Sequence, residues 1–207
     1  LSFRATGQQC ARFTFDALLA PGQVLELGDL TWQVLAAPGH DPHAVLLFCP
    51  GEGILIAGDA LWENGFGVIF PELAGEPGFG ETRATLDLIG RLDARIVIPG
   101  HGRMFTDVAG ALQRAYSRLD YLAADPQRNA ENAVKVLVKF LLLERQRIGV
   151  AALPALLAAI PVVGSALRQM AVDPSAPDAC TTLANWAISS LLRAGAARID
   201  GDFLVDA

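Results

Sequence analysis

Cationic residues are scarce in this sequence, and their scarcity argues against one class of partner. Among the 207 residues, 16 are Lys or Arg and 22 are Asp or Glu, so the net charge is −6 at pH 7. The Lys and Arg residues also form no obvious cluster along the chain. Because contacts to phosphate groups need clustered Lys and Arg side chains, we expect no nucleic-acid partner.

Cysteine is also rare, and the three cysteines follow no recognisable spacing. Cys10, Cys49 and Cys180 are odd in number and far apart, which fits neither a disulfide framework nor a zinc knuckle. We expect buried free thiols in a reducing compartment, and therefore a cytoplasmic protein. The first residues hold no apolar core of the length that a signal peptide needs, and Leu1 need not be the natural start.

A continuous apolar run of membrane-spanning length is missing as well. The stretch 148–167 has no charged residue, and a transmembrane helix needs about 20 apolar residues. However, Pro154 and Pro161 interrupt the stretch. The pattern favours two short packed helices that are separated at Pro161, so we expect no membrane partner.

Short β-rich runs fill the sequence up to Asp107. Turn residues separate them in two places, Gly28-Asp29 and Pro50-Gly51-Glu52, and each break predicts a hairpin. An amphipathic helix over 80–93 then leads into an apolar strand over 95–100, which is typical of an α/β domain. The runs that flank the two breaks are 23–28, 31–37, 44–49 and 53–58.

Helical patterns replace the strands after Asp107. Apolar residues recur at helical spacing over 108–124, 132–147 and 181–197. Asp200-Gly201 then predicts a small terminal hairpin. We therefore predict an α/β domain over residues 1–125 and a small helical, winged-helix-like domain over residues 126–207.

Two of the three histidines and one aspartate share a structural context that favours a metal site. His40 and His101 each follow a Pro-Gly pair after a predicted strand, and Asp59 ends the apolar run 53–58. Taken singly, such residues are common in turns. Together they place imidazoles and a carboxylate at strand ends, where open α/β sheets bind ligands, and these donors suit a zinc-class ion.

These motifs resemble the second half of a metallo-β-lactamase-superfamily hydrolase. The segments that carry the resemblance are APGHDPHAVLLF, GILIAGDALW and IVIPGHG, within about residues 20–125. The loop 64–73 is similar to the substrate-side loop of a glyoxalase II-like branch, whose members carry a helical, winged-helix-like tail. The resemblance implies an α/β fold, namely the second half of an αββα metallo-β-lactamase sandwich followed by that tail.

The family's His-x-His-x-Asp-His signature is absent from this sequence, whose histidines are His40, His43 and His101. We therefore expect a C-terminal part of the enzyme. By the resemblance, His40 completes a first zinc site, Asp59 bridges two zinc ions and His101 completes the second site. Three ligands spread over two ions leave neither ion an adequate set. We expect weak or absent zinc and no meaningful activity in this chain alone.

The resemblance implies hydrolysis of a small-molecule thioester or ester by a metal-bridging hydroxide, with Asp59 in a catalytic role. Two other functions stay open: an RNA-cleaving member of the superfamily, and a non-enzymatic interaction module. Trp62, Phe66 and Phe70 either line an acyl pocket or simply pack. His43 either orients a metal ligand or merely packs.

The predicted strands 44–49 and 53–58 are apolar on both faces, which is typical of a sheet that is covered on both sides. The predicted helices cover one face, and the sequence offers no partner sheet for the other. A large bare apolar face is rare on a soluble monomer. We therefore expect a homodimer, or association with the missing N-terminal half.

Overall fold

A computed structural model describes residues 4–7, 11 and 13–207. Cys10, one of the expected free thiols, lies outside these residues, whereas Cys49 and Cys180 are free. The described chain divides into two compact units. Residues 13–124 form the first unit, and residues 4–7, 11 and 125–207 form the second.

The first unit is an α/β fold built on a mixed five-stranded sheet. Its strands are β1 (Val24–Leu27), β2 (Leu30–Ala36), β3 (Val45–Cys49), β4 (Ile54–Gly58) and β5 (Ile96–Pro99). They lie side by side in chain order, and every neighbouring pair is antiparallel except β4 and β5, which are parallel. Both predicted hairpins are therefore present, because turn residues join β1 to β2 and β3 to β4.

Two helices flank the parallel strand pair in the sequence. Helix α1 (Gly78–Arg91) lies between β4 and β5, after a short 3₁₀ helix (Pro71–Ala74), and α2 (Val108–Ala123) follows β5. Both helices share one buried core with one face of the sheet. That core includes Leu46, Phe48, Leu55, Leu86, Ile89, Val97, Ala111 and Leu119. Alternation along each strand produces this face, since successive side chains point to opposite sides.

The opposite face of the sheet is apolar but only partly covered. On β3 and β4, the side chains of Val45, Leu47, Ile54 and Ile56 alternate with the core residues and are half-buried. Ile98 on β5 is 39% exposed. The alternation thus supplies apolar side chains to both faces, and the helices α1 and α2 bury those on one face.

The second unit contains four helices and a small sheet within its described residues. The elements are α3 (Pro126–Arg145), β6 (Arg147–Gly149), a 3₁₀ helix (Val150–Ala152), α4 (Leu153–Ala158), α5 (Pro161–Gln169), α6 (Ala179–Arg193), β7 (Ala197–Asp200) and β8 (Phe203–Asp206). The three strands pair antiparallel in the order β6-β8-β7. The terminal hairpin forms at the predicted position, and whether the unit is a winged helix stays a prediction.

Two local features of the second unit have a capping explanation. Helix α3 begins at Pro126, six residues before the predicted start at 132. The Asp125 side chain accepts a hydrogen bond from the Gln127 N–H, and Pro126 occupies the first turn, so the helix has a cap and a proline where both are favourable. Pro161 likewise occupies the first turn of α5, without a side-chain cap, and it separates α4 from α5 as predicted.

Among the described residues, no single helix is both long and apolar enough to cross a membrane. One pair of segments, Val150–Ala158 and Pro161–Gln169, reaches that length and composition together, and the pair is bent by 94°.

Candidate metal centre

Three predicted donor side chains meet at one edge of the first unit's sheet. Strands β2, β4 and β5 run in the same direction, so their carboxyl ends lie at the same edge. His40 follows β2, Asp59 follows β4 and His101 follows β5. The His40 Nε2 atom lies 3.5 Å from Asp59 Oδ2, and His101 Nε2 lies 3.7 Å from Asp59 Oδ1. One carboxylate therefore faces an imidazole on each of its oxygens.

Each Pro-Gly-His turn needs its glycine, but for a different reason. Gly39 has a φ of +139°, a backbone conformation that residues with a side chain rarely adopt. At Gly100 the reason is close approach, because a Cβ atom there would lie 2.6 Å from Asp59 Oδ1. The Gly100 N–H also donates to the Gly58 carbonyl at 2.7 Å. The first glycine shapes its turn, and the second leaves room for the carboxylate.

The orientation of the His40 ring is fixed by a backbone carbonyl. Its Nδ1 atom lies 2.6 Å from the Val68 carbonyl oxygen. Since a carbonyl only accepts hydrogen bonds, we assign the ring proton to Nδ1, which leaves a lone pair on Nε2 in the neutral ring. In that form Nε2 is able to ligate a cation together with the Asp59 carboxylate, and metal-bound histidines are commonly held by such carbonyls.

The loop after Asp59 carries the Val68 carbonyl and packs closely around the site. The Gly67 N–H donates to the Asp59 backbone carbonyl at 2.8 Å. A Cβ atom at Gly67 would lie 2.7 Å from His40 Nδ1 and 2.9 Å from the Asp59 Cβ. From α2, the Arg114 Nε donates to the Glu63 carbonyl at 2.8 Å. Residue spacing alone did not reveal this support, because the contacts join residues far apart in the chain.

The three aromatic residues divide between the site and the core. The Trp62 indole N–H donates to Asp59 Oδ1 at 3.0 Å, and the Trp62 ring meets His101 edge-on with centroids 5.2 Å apart. Phe66 and Phe70 are only 3% and 5% exposed. Phe66 belongs to the main core, and Phe70 lies 6.4 Å from the His40 ring between centroids. Both phenylalanines are therefore packed side chains in this structure, and a role in an acyl pocket stays a prediction.

His43 lies apart from this cluster. It sits in the turn before β3 instead of inside the strand, and it is exposed. Its backbone N–H donates to Asp41 Oδ1 at 2.7 Å. Among the described residues, no hydrogen bond or ring contact joins its imidazole to Asp59, His40 or His101. Whether His43 orients a metal ligand stays a prediction.

The donor set fits zinc in chemistry and spacing, but it is incomplete. Two ligands of one tetrahedral zinc ion, each about 2.0–2.2 Å from the metal, lie about 3.4 Å from each other. The two nitrogen-to-oxygen separations around Asp59 are 3.5 and 3.7 Å. Within residues 4–7, 11 and 13–207, however, no group of three His, Cys, Asp or Glu side chains is placed to hold one ion.

The region that carries the candidate donors is similar to a known family. The sequence model of the Metallo-beta-lactamase superfamily matches residues 12–101. This range contains His40, Asp59 and His101. The chain is thus similar to that superfamily over this range, in agreement with the resemblance of the sequence motifs.

Curated relatives cover parts of the same region. A hydroxyacylglutathione hydrolase of Rhodobacter capsulatus is 39% identical over 75 residues, which is 32% of this chain and 29% of the relative. A probable metallo-hydrolase of Bacillus subtilis, YqjP, is 30% identical over 112 residues, which is 50% of this chain and 32% of the relative. The chain thus spans about a third of the length of these relatives.

Solved structures with a related description align over more of the chain. A metallo-beta-lactamase family protein from Thermus thermophilus shares 20% identity and has a TM-score of 0.46. The alignment covers 99% of this chain and 62% of that chain.

Proposed function

We propose that this chain, with the superfamily membership that the match supports, is part of a metal-dependent hydrolase whose zinc-class ions are held by His40, Asp59 and His101. One observation carries the proposal. The two Nε2 atoms face opposite oxygens of a single carboxylate, at 3.5 and 3.7 Å. A carboxylate placed in this way is suited to bridging two ions, with one imidazole beside each.

When bound, two zinc-class ions lower the pKa of a water molecule toward neutrality and polarise a carbonyl group. The chain's own residues prepare the ligands. The Val68 carbonyl holds His40 with Nε2 toward Asp59. The Trp62 indole N–H donates to Asp59 Oδ1, and the Trp62 ring packs edge-on against the His101 ring. In this proposal Asp59 would be the ligand that both ions share.

A small-molecule thioester or ester is the substrate class that we propose. The support is the loop 64–73, which is similar to that of the glyoxalase II-like branch, together with the hydroxyacylglutathione hydrolases among the curated relatives. The net charge of −6 argues against a polyanionic substrate such as RNA.

We also propose that this chain binds zinc weakly and has no meaningful hydrolase activity by itself. Catalytic zinc sites usually have three protein ligands for one ion, and the three donors here are shared between two ions.

The half-buried apolar face of β3 and β4 supports a covering partner, either a second copy or an N-terminal half of the sandwich. Light scattering over a dilution series tests the second copy, and a lone monomer of about 22 kDa that binds no hydrophobic dye excludes it.

The metal proposal is tested by adding Co²⁺ to the metal-free chain while the imidazole signals of its three histidines are followed by NMR. A paramagnetic ion broadens the signals of nearby nuclei even when binding is weak. We expect broadening of the His40 and His101 signals, and much less of His43, which serves as an internal control on the same chain. The Asp59→Asn variant should reduce the broadening. Equal broadening of all three histidines, or none at excess Co²⁺, contradicts the proposal.

A further inference from the structure

Two threonines on α1 lie directly behind the turn that carries His40. Thr82 and Thr85 are three residues apart, so they share one face of the helix. The Thr85 hydroxyl donates to the Pro38 carbonyl at 2.8 Å, which anchors the start of the turn. The Thr82 hydroxyl is also buried, with the residue only 5% exposed, yet no group of the described residues forms a hydrogen bond with it. Buried hydroxyls nearly always have a partner.

Thr82 presses against the residue that precedes His40. A Cβ atom at position 39 would lie 2.4 Å from Thr82 Oγ1 and 2.9 Å from Thr82 Cα. Only glycine therefore allows the turn to lie this close to the helix. Any group that is bound to the Thr82 hydroxyl is consequently close to the backbone that sets the direction of the His40 side chain.

A small cavity opens at the same place. It is lined by Thr82 together with Pro38, His40, Asp59 and Phe66, among other residues. The cavity leaves about 10 Å³ for the centre of a water molecule, which is close to the smallest space that holds one ordered water. A buried water typically makes about three hydrogen bonds. The hydroxyl, the carboxylate and the imidazole of the lining residues are polar groups that suit such a water.

We propose that Thr82 is a positioning residue for His40 and Asp59, and that its hydroxyl acts through one ordered water in this cavity. The water joins the Thr82 hydroxyl to the side chains of His40 and Asp59. The Val68 carbonyl and the Trp62 N–H, both in the loop after Asp59, contact the same two side chains. The effect of Thr82 on metal binding rests on the proposed function, whereas its effect on the positions of the His40 and Asp59 side chains does not. Outer-shell groups of this kind typically change metal affinity by about 10–100-fold.

Two variants separate the hydroxyl from the shape of the side chain. Thr82→Val keeps the shape and removes the hydroxyl, and Thr82→Ser keeps the hydroxyl. We expect high-resolution crystal structures of the metal-free chain to show a water within hydrogen-bond distance of Thr82 Oγ1. The water should be lost in Thr82→Val, with a changed separation between His40 Nε2 and Asp59 Oδ2, and kept in Thr82→Ser. A dry cavity in the unsubstituted chain, or an unchanged separation in Thr82→Val, overturns the proposal.

Zinc titration supplies the second readout. Zn²⁺ affinity should fall about tenfold or more in Thr82→Val and stay near that of the unsubstituted chain in Thr82→Ser. Equal losses in both variants would mean that packing matters and the hydroxyl does not, which also overturns the proposal. If the unsubstituted chain binds no Zn²⁺, the proposed function fails, and the metal-free structures still decide the role of Thr82.

Discussion

The two Pro-Gly-His turns look alike in the sequence but differ in how firmly the structure holds them. The His40 side chain is 29% exposed, its Nδ1 contacts the Val68 carbonyl, and Thr85 anchors the turn from α1. The His101 side chain is 67% exposed, and its described contacts are the edge of Trp62 and the Asp59 carboxylate. The same tripeptide thus produces one fixed imidazole and one loosely held imidazole.

The difference between the two turns shows that a local motif sets the backbone position of a side chain, whereas tertiary contacts set how firmly the side chain is oriented. A Pro-Gly pair turns the chain at the end of a strand in both cases. Among the described residues, α1 and the loop 65–70 then add contacts to the first turn. Variants that disturb the two turns should therefore have unequal effects on the free energy of unfolding and on the binding of metal.

The largest effect should come from Gly39→Ala. Position 39 has a φ of +139°, and an added Cβ would lie 2.9 Å from Thr82 Cα and 3.0 Å from Thr82 N, which are backbone atoms that cannot rotate away. Backbone strain and overpacking together should lower the free energy of unfolding by about 2–5 kcal/mol. Urea unfolding followed by circular dichroism measures the loss. A midpoint equal to that of the unsubstituted chain would show that the first turn is not held against α1.

Much of this fold was accessible from the sequence because its signals are local. Short apolar runs and turn pairs predicted the strands and both hairpins, and His40, Asp59 and His101 follow the ends of three of these runs. The contact from His40 to Val68 was not predictable, since it spans 28 residues and involves a backbone atom. The burial of Phe66 depends on the core that α1 and α2 complete, and a short aromatic run in a loop does not reveal that core.

A smaller effect on stability, but a clearer one on the site, is expected from Gly100→Ala. The added Cβ would meet Asp59 Oδ1 at 2.6 Å, and it would lie 3.1 Å from the Gly58 carbonyl carbon. The carboxylate can rotate away, so the free energy of unfolding should fall by only about 1–2 kcal/mol. The broadening of His40 and His101 by Co²⁺ should decrease at the same time. If stability falls as far as in Gly39→Ala, the two turns are equally constrained and the comparison fails.

Trp62→Phe tests the contact between Trp62 and the turn that carries His101. The substitution keeps an aromatic edge beside His101 and removes the N–H that donates to Asp59 Oδ1. Because the Asp59 side chain is still 30% exposed and water can replace part of the lost bond, the free energy of unfolding should fall by only about 1 kcal/mol, and binding of Co²⁺ should weaken. Trp32→Phe is the matched control, since the Trp32 indole N–H donates to the Leu27 carbonyl at 3.3 Å. Equal effects of both variants on Co²⁺ binding would argue against a role for Trp62 at the site.

The smallest expected difference is in how fast the imidazole ring protons of His40 and His101 exchange with water. It is also the most direct test of how firmly the two turns are held. In His40 the Nδ1 proton is engaged by the Val68 carbonyl at 2.6 Å and the side chain is mostly covered, so its exchange requires the loop 65–70 to move. In His101 the ring is mostly exposed, and exchange needs no such opening. In proton NMR of the metal-free chain near pH 7 we therefore expect a resolved Nδ1–H signal from His40 and none from His101. Two signals of equal intensity, or the signal from His101 alone, would show that the loop does not hold the first imidazole more firmly than the second.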